Sequence, residues 1–346
     1  MRPAPIGAAL VGCGYWGPNL ARNLAESPEF ELRALCDRDS QQLRGLGRYH
    51  PDADTFENFD AVLCDEKIEA VIVATPPSTH YPLAKLALEA GKHVLVEKPL
   101  ATRLIDGQEL ADLARESGLT LMPGHTFIYS PAVNTVHRLI QTDEVGEIHF
   151  VTSARMNLGK YQRDGVVCDL APHDLSILLY WLGRPVVEVA AQGSCVYRED
   201  VAETAFLTLT FEGGVTANVQ LSWLAPRKVR QMIVVGSKRM VQYDDTASDE
   251  PVRVYDRGMD VEKPANFGEH QLVYRTGDVV IPRVEPQEPL RLELQDFARA
   301  IRTGEEPRSN VSLGLEIVAT VEMAEASMRD NGMPLGCSAA ATPAAA

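Results

Sequence analysis

The run Gly12-Cys13-Gly14-Tyr15-Trp16-Gly17 follows the apolar strand Ala8–Val11 and opens onto a helical pattern from Trp16 to Glu26. No other feature limits the possible folds so strongly. Glycines at this spacing suit the tight turn from a parallel strand into its crossover helix, and they let backbone N–H groups at a helix start approach a pyrophosphate. The G-x-G-x-x-G pattern is weak alone. Asp37 strengthens it, because it closes the second strand Ala34-Leu35-Cys36-Asp37, where a carboxylate can accept hydrogen bonds from an adenosine ribose. The loop residues Gly12, Gly14, Tyr15, Trp16 and Gly17 and the carboxylate of Asp37 are therefore expected to bind a dinucleotide. A carboxylate at that place bonds the free hydroxyls of NAD and repels the 2′-phosphate of NADP, so NAD is expected over NADP. Arg38, next in the chain, could instead stack on adenine or pair with a 2′-phosphate.

From Ile6 to about Met122 short apolar runs alternate with helical periodicity, the pattern of a parallel sheet with crossover helices. Strands are predicted at Ala8–Val11, Leu32–Cys36, Ala70–Ala74, His93–Val96 and Leu119–Met122, and helices at Trp16–Glu26, near Phe59–Leu63, at Tyr81–Ala90 and at Ile105–Ser117. Gly91 and Gly118 fall where a helix end favours positive φ. After Pro123 the texture changes. Val215, Ala217, Val219, Leu221 and Trp223 alternate with Thr216, Asn218, Gln220 and Ser222, the period-two signature of a strand with one apolar face. Further strands are predicted at Ala205–Phe211, Val229–Val235 and Arg239–Tyr243, separated by glycine-containing turns that suit antiparallel pairing. Helices are expected at Ala132–Thr142, Pro172–Leu182, Leu290–Arg302 and Leu313–Arg329, with Thr246–Pro289 as a long excursion. The fold class is α/β: a Rossmann dinucleotide-binding domain over 1–123, an α+β domain with a large, mainly antiparallel open sheet over 124–335, and a low-complexity tail over 336–346 expected to be disordered.

Composition narrows the partners. Among 346 residues, 33 are Lys or Arg and 48 are Asp or Glu, a net charge of −15 that would repel a polyphosphate backbone, so no nucleic-acid partner is expected. The six cysteines form no C-x-x-C pair, which suits reduced thiols. No apolar run approaches the ~20 residues of a membrane span. A cytoplasmic protein with no membrane partner and no metal is expected.

Two further runs carry chemistry. Ala74-Thr75-Pro76-Pro77-Ser78-Thr79-His80 follows the third strand and Glu97-Lys98-Pro99 closes the fourth. Ligands of open parallel sheets bind beyond the carboxyl ends of the strands, so Thr75, Pro76, His80, Glu97 and Lys98 are expected to face the same crevice as the glycine loop. With Gly12 through Glu97-Lys98-Pro99 and the second domain, the chain resembles the glucose-fructose oxidoreductase/inositol dehydrogenase (Gfo/Idh/MocA) family over nearly its whole length. The resemblance implies that Lys98 touches both the nicotinamide ribose and the reacting hydroxyl. It also matches Asp169 and His173, in Cys168-Asp169-Leu170-Ala171-Pro172-His173-Asp174, to the family's Asp-x-x-x-His pair.

Pro172 marks a helix start on the reasoning that a first-turn proline lacks only an N–H that has no intrahelical partner. Asp169 and His173 then stand one turn apart on one face, although Asp169 could be only an N-cap and His173 only a first-turn polar residue. Hydride removal from a secondary alcohol needs a base for the hydroxyl proton, and His173 is the best candidate, with Asp169 to orient it. A helix start disfavours imidazolium whereas the Asp169 carboxylate favours it. Lys98 would stabilise the developing alkoxide.

Arg155 and Asn157 are expected to line the substrate pocket, with Arg155 equally readable as a surface-strand cation. Basic residues at Arg227-Lys228-Val229-Arg230, Arg275 and Arg283 would suit an anionic substrate on this acidic chain. The glycine loop and the Asp-Leu-Ala-Pro-His-Asp run are similar to family members that oxidise C3 of UDP-N-acetylglucosamine or its uronic acid. A nucleotide-sugar 3-dehydrogenase therefore leads. An inositol or free or phosphorylated sugar dehydrogenase, or a 3-keto-sugar reductase, comes second. A non-catalytic NAD-binding scaffold is third, and it would need none of Lys98, Asp169 and His173. The polar face of the Val215–Trp223 strand, and the family's habit of pairing open sheets, imply a homodimer or homotetramer.

Overall fold

The computed structural model describes residues 3–159, 164–262 and 271–336. The chain forms two compact units, Met1–Ser130 with Gln287–Ala319, and Pro131–Pro286 with Thr320–Ala346. The tail expected over 336–346 lies, beyond Gly336, outside the described residues. The cut expected near residue 123 misses one feature of this division. The helix at Leu290–Arg302, expected in the second domain from its place in the chain, belongs to the first unit.

In the first unit β1 (Ile6–Val11), α1 (Gly17–Glu26), β2 (Phe30–Cys36), α2 (Ser40–Gly47), β3 (Asp54–Phe56), α3 (Phe59–Leu63), β4 (Ala70–Val73), α4 (His80–Glu89), β5 (His93–Glu97), α5 (Leu104–Ser117) and β6 (Leu121–Gly124) build one parallel sheet in the order β3-β2-β1-β4-β5-β6. Every residue of β1 and β4 is buried, as strands covered on both faces require. One buried core cluster joins strand residues Val71, Val73, Val94 and Val96 with Ala84 and Leu88 of α4 and Leu110 and Ala114 of α5. The left-handed turn expected at Gly118 ends α5, with φ 65°, and Gly91 follows α4 with φ 76°. Two elements carry no strong sequence signal. α2 buries only Leu43 and Leu46, too few for a visible period, and forms because Asp39 caps it, accepting from the backbone N–H of Gln41 at 2.8 Å. β3 is a three-residue edge strand with no buried residue.

The second unit contains α6 (Pro131–Gln141), β7 (Ile148–Leu158), α7 (Gly165–Leu182), β8 (Val186–Ser194), β9 (Thr204–Phe211), β10 (Thr216–Ser222), β11 (Leu224–Gly236), β12 (Met240–Asp244), β13 (Val252–Tyr255), β14 (Gly258–Glu262), β15 (Gln271–Arg275) and β16 (Val279–Val280). α8 (Pro289–Thr303) returns to the first unit, α9 (Val311–Arg329) is divided between the units after Ala319, and β17 (Leu335–Gly336) is in the second. Among the described residues, nine strands form one sheet in the order β16-β13-β12-β11-β7-β10-β9-β8-β17. Its pairs are antiparallel except β7 with β10, which run parallel, so the sheet is mixed. The alternation read in β10 holds over most of its length, with Ala217, Val219 and Leu221 buried, Thr216 exposed and Asn218 and Gln220 half-buried, but it breaks at Ser222, expected on the polar face and buried here. The described part of the 246–289 excursion holds the short strands β13 to β16. No helix among the described residues is long and apolar enough to cross a membrane.

α7 corrects one expectation. It starts at Gly165, so Pro172 lies inside the helix. Having no N–H, Pro172 cannot donate to the carbonyl of Cys168, a defect that costs about 3 kcal/mol in an exposed helix interior. Twelve buried residues on this helix, including Leu175, Leu178 and Trp181, hold it against that penalty.

Candidate active site

The glycine loop shows why each glycine stands where it does. Gly12 has φ 104°, and a Cβ there would lie 2.5 Å from the Ala74 carbonyl oxygen; a Cβ on Gly17 would lie 2.6 Å from the carbonyl oxygen of Gly12. Those two glycines are fixed by internal packing of strand, loop and helix. Gly14 differs, because nothing lies within 4 Å of its would-be Cβ. Open space above that backbone is what close approach of a pyrophosphate requires, and the loop leads directly into the start of α1. Tyr15 stands 85% exposed beside it and Trp16 is partly exposed.

Asp37 at the end of β2 accepts the Cys13 backbone N–H at 2.7 Å through Oδ2 and that of Asp39 at 2.9 Å through Oδ1. The carboxylate is thereby held against the glycine loop while staying half-exposed, and each oxygen keeps a lone pair for a ribose hydroxyl. Its charge also contributes, after burial, to pushing the neighbouring Cys13 thiol up to about 12 and Cys36 up to about 11, so both remain neutral. Arg38 is exposed. These residues fit a nicotinamide dinucleotide: Gly12, Gly14 and Gly17 shape the loop that would hold its pyrophosphate, and Asp37 has free lone pairs that could accept from ribose hydroxyls.

Beyond β4, Thr75 is half-buried and accepts from the Thr79 hydroxyl at 2.7 Å, and Pro76 is exposed. His80 departs from expectation. It is buried, its Nδ1 lies 2.7 Å from the Pro99 carbonyl oxygen and its Nε2 2.8 Å from that of Thr75. The buried ring sits between two backbone carbonyls and, when neutral, donates to one of them, so His80 braces the loops after β4 and β5 rather than facing an open crevice. Burial holds its pKa below the ordinary histidine value despite the two carbonyls. Lys98 follows β5 directly, half-buried, and its peptide bond to Pro99 is cis. Its backbone N–H donates to Glu97 Oε2 at 3.3 Å, and the Trp16 indole also bonds the Glu97 carboxyl.

In the second unit, Asp169 and His173 project from α7 at positions four apart, both half-buried. The Trp223 indole N–H donates to Asp169 Oδ2 at 3.1 Å, so the end of the β10 alternation holds the carboxylate beside His173. Because α7 begins at Gly165, Asp169 is not an N-cap, and His173 lies more than two turns into the helix, beyond reach of the dipole at its start. Of the two opposing influences expected on His173, the helix start is thus too far away to act. Asn157 is half-buried near the end of β7. Arg155 is a correction: its Nε lies 2.6 Å from Asp174 Oδ1, and both side chains are 2% exposed. It serves the interior of the second unit and lines no open pocket.

Sequence reasoning missed Trp223 as a partner of Asp169, Asp174 as the partner of Arg155, and the buried Glu293 and His125. Glu293 did leave a signal. It interrupts the apolar stripe Leu290, Leu294, Phe297 and Ala298 of α8 with a carboxyl at a core position.

Family profiles described as "Oxidoreductase family, NAD-binding Rossmann fold" and "GFO/IDH/MocA C-terminal domain" match residues 6–125 and 133–242. The chain belongs to the GFO/IDH/MocA oxidoreductase family and is an NAD(P)-dependent enzyme. Among its relatives, scyllo-inositol 2-dehydrogenase (NAD(+)) of Bacillus subtilis (strain 168) is 26% identical over 352 residues, covering 95% of this chain and 96% of that protein. The crystal structure of GenD2 from gentamicin A biosynthesis in complex with NAD matches with a TM-score of 0.82 at 26% identity, over 97% of each chain. UDP-N-acetylglucosamine 3-dehydrogenase GnnA from Acidithiobacillus ferrooxidans, 22% identical, shares the fold with a TM-score of 0.78 over 94% of this chain and 98% of its own.

The placement of Asp37 gives a cofactor prediction. Titration by intrinsic fluorescence is expected to show NAD bound more tightly than NADP, and Asp37→Ala is expected to weaken NAD while narrowing that difference. Equal or tighter NADP binding by the unmodified protein would transfer control to Arg38.

Proposed function

We propose that this enzyme moves hydride between a secondary hydroxyl of a sugar and NAD, with a nucleotide sugar oxidised at C3 as the substrate. The observation that carries the reaction type is that the first unit holds a dinucleotide loop with Gly14 open, Asp37 fixed and Lys98 directly after β5, while α7 of the second unit carries Asp169 and His173 one turn apart, polar groups a mere binding module would not need. Bound nicotinamide supplies the hydride acceptor or donor. In this reading His173 takes the hydroxyl proton as the carbonyl forms, Asp169 orients the ring, with its own position set by Trp223, and the Lys98 ammonium stabilises negative charge on the substrate oxygen. Asn157 contributes a neutral donor and acceptor for sugar hydroxyls.

Support for a nucleotide sugar comes from the Asp-Leu-Ala-Pro-His-Asp run and from Arg227 and Lys228, exposed on β11 and available to phosphate. A specific observation favours the second reading, a neutral polyol or free sugar. Most of the other expected cations are matched by acids: Arg230 with Asp245 at 3.0 Å, Arg275 with Asp256 at 3.6 Å and Arg283 with Glu285 at 2.8 Å, besides the buried Arg155. The same reading places a second copy of the chain on the outer face of the large sheet. There Phe206, 54% exposed, pairs with Gln220, and Phe150 with Thr216.

A panel of UDP-N-acetylglucosamine, its uronic acid, UDP-glucose, myo-inositol, glucose and glucose 6-phosphate tests the substrate. NADH is expected chiefly with a nucleotide sugar, with a 3-keto product identified by mass and by deuterium exchange beside the carbonyl. Alcohol oxidation by NAD runs uphill near neutral pH, so the reverse assay with a keto-sugar and NADH accompanies it. Turnover of inositol alone would promote the second reading, and no reaction in either direction with NAD still bound would place the substrate outside this panel and overturn the nucleotide-sugar reading.

A further inference from the structure

Among the described residues of the first unit, Oε1 of Glu97, Oε1 of Glu293 and both ring nitrogens of His125 are buried with no hydrogen-bond partner. They meet on one short stretch of chain. Glu97 pairs across the sheet with Gly124, where a Cβ would stand 3.4 Å from the Glu97 carboxyl carbon. His125, 2% exposed, comes next. Thr126 follows and donates its hydroxyl to Glu293 Oε2 at 2.8 Å. Each carboxyl thus has one oxygen held, Glu97 Oε2 by the Lys98 N–H and Glu293 Oε2 by Thr126, and one oxygen sealed from solvent without a donor.

Two neighbouring carboxylates cannot both stay ionised cheaply out of water, and an orphaned buried acceptor costs about 1–3 kcal/mol. A single proton answers both difficulties, since it removes one charge and converts one orphaned acceptor into a donor for the other. We propose that Glu97 and Glu293 hold one proton between them, directly or across one buried water, and that Glu293 is thereby a positioning residue for Lys98. This rests on the reading of Lys98 as the group that meets the substrate oxygen. Glu293 acts only through Glu97, whose other oxygen holds the Lys98 backbone.

The electrostatics agree. Burial pushes the Glu97 carboxyl up to about 7 against the opposing pull of Lys98 and the Trp16 indole. Burial and then the charge of Glu97 push Glu293 well above the ordinary range, with Asp296 of the same helix adding to the rise. His125 is pushed down to about 3 by burial and by Lys98, so its ring is neutral and supplies no balancing charge. The groups facing the pair are therefore Lys98 after β5, Asp296 on α8, the neutral His125 and Thr126 after β6, and Trp16 at the start of α1.

Infrared spectroscopy of the full chain at pH 8.5, with and without NAD, tests this without any substrate, so its failure is separate from failure of the dehydrogenase reading. A protonated-carboxyl C=O band is expected in the unmodified protein and its loss is expected in Glu293→Gln. Absence of the band from the unmodified protein, or its persistence unchanged in Glu293→Gln, overturns the proposal. Should Glu293→Gln fail to fold, Glu293→Asp keeps an acid with a shorter reach, and the band is expected to persist at a shifted frequency; an unshifted band overturns the pairing. Kinetics supply a second readout. Glu293→Leu is expected to lower kcat at least tenfold more than Glu293→Gln does, with the KM for NAD moving less than kcat. The alkaline limb of the kcat profile that reports loss of the shared proton is expected to vanish in Glu293→Gln, and an identical limb in that variant also overturns the proposal.

Discussion

Lys98→Ala and His173→Ala are each expected to fold, to bind NAD with affinity close to that of the unmodified enzyme, and to lose about 10²-fold or more in turnover, the lower range for removing a general acid–base group. The two residues lie on different supports. Lys98 follows β5 in the dinucleotide-binding unit and His173 lies within α7 of the other, so neither truncation removes a buried apolar side chain. Asp169→Asn is expected to cost less than His173→Ala, because an amide oxygen can still accept from the imidazole and from Trp223. Single-turnover rates with saturating NAD, alongside NAD titrations, separate chemistry from binding. A turnover number like that of the unmodified enzyme in either alanine variant would remove that residue from the mechanism.

Asp174→Ala is expected to be the most destabilising single change in the second unit, lowering its unfolding free energy by about 3–5 kcal/mol. Asp174 meets the Arg155 guanidinium at 2.6 Å and accepts the Ser153 hydroxyl at 2.8 Å, all three side chains being buried. Removing the carboxylate leaves a guanidinium in a low-dielectric interior without its counter-charge, and that desolvation dominates the cost. Replacing Arg155 and Asp174 together by apolar residues of similar volume is expected to recover most of the loss, because a buried pair is worth little over a well-packed apolar one. Urea unfolding followed by a probe in the second unit measures both variants. A loss below about 1 kcal/mol in Asp174→Ala would show that the pair is hydrated in solution, as exposed pairs are.

Local rules make much of this protein legible in its amino-acid order. Gly12, Gly14 and Gly17 with Asp37 are read at short range: turn, strand end and helix start are all set by residues within a few positions, and the parallel sheet follows from apolar runs too short for helices. β10 is equally legible, since burial of one sheet face writes itself as alternation. α2 and β3 are not, for they bury too little to leave a period. Pro172 misleads because its first-turn preference is a local rule, and the apolar packing along α7 overrides it.

The sheet that holds a dinucleotide, the carboxylate beside its glycine loop and the residue types available for hydride chemistry all follow from neighbours in the chain and are legible there. Which charges are structural depends instead on contacts between elements far apart in the chain. Arg155 reads in chain order as a ligand for substrate, but Asp174, on another element, pairs with it, and His80 reads as a cofactor ligand, but its ring is buried between the carbonyls of Thr75 and Pro99. Glu293 reaches the cluster of Glu97 and His125 only because α8, far along the chain, returns to the first unit. Periodicity reports burial along one element, whereas the partner that satisfies a buried charge comes from a different one, and no spacing in the chain encodes that distance.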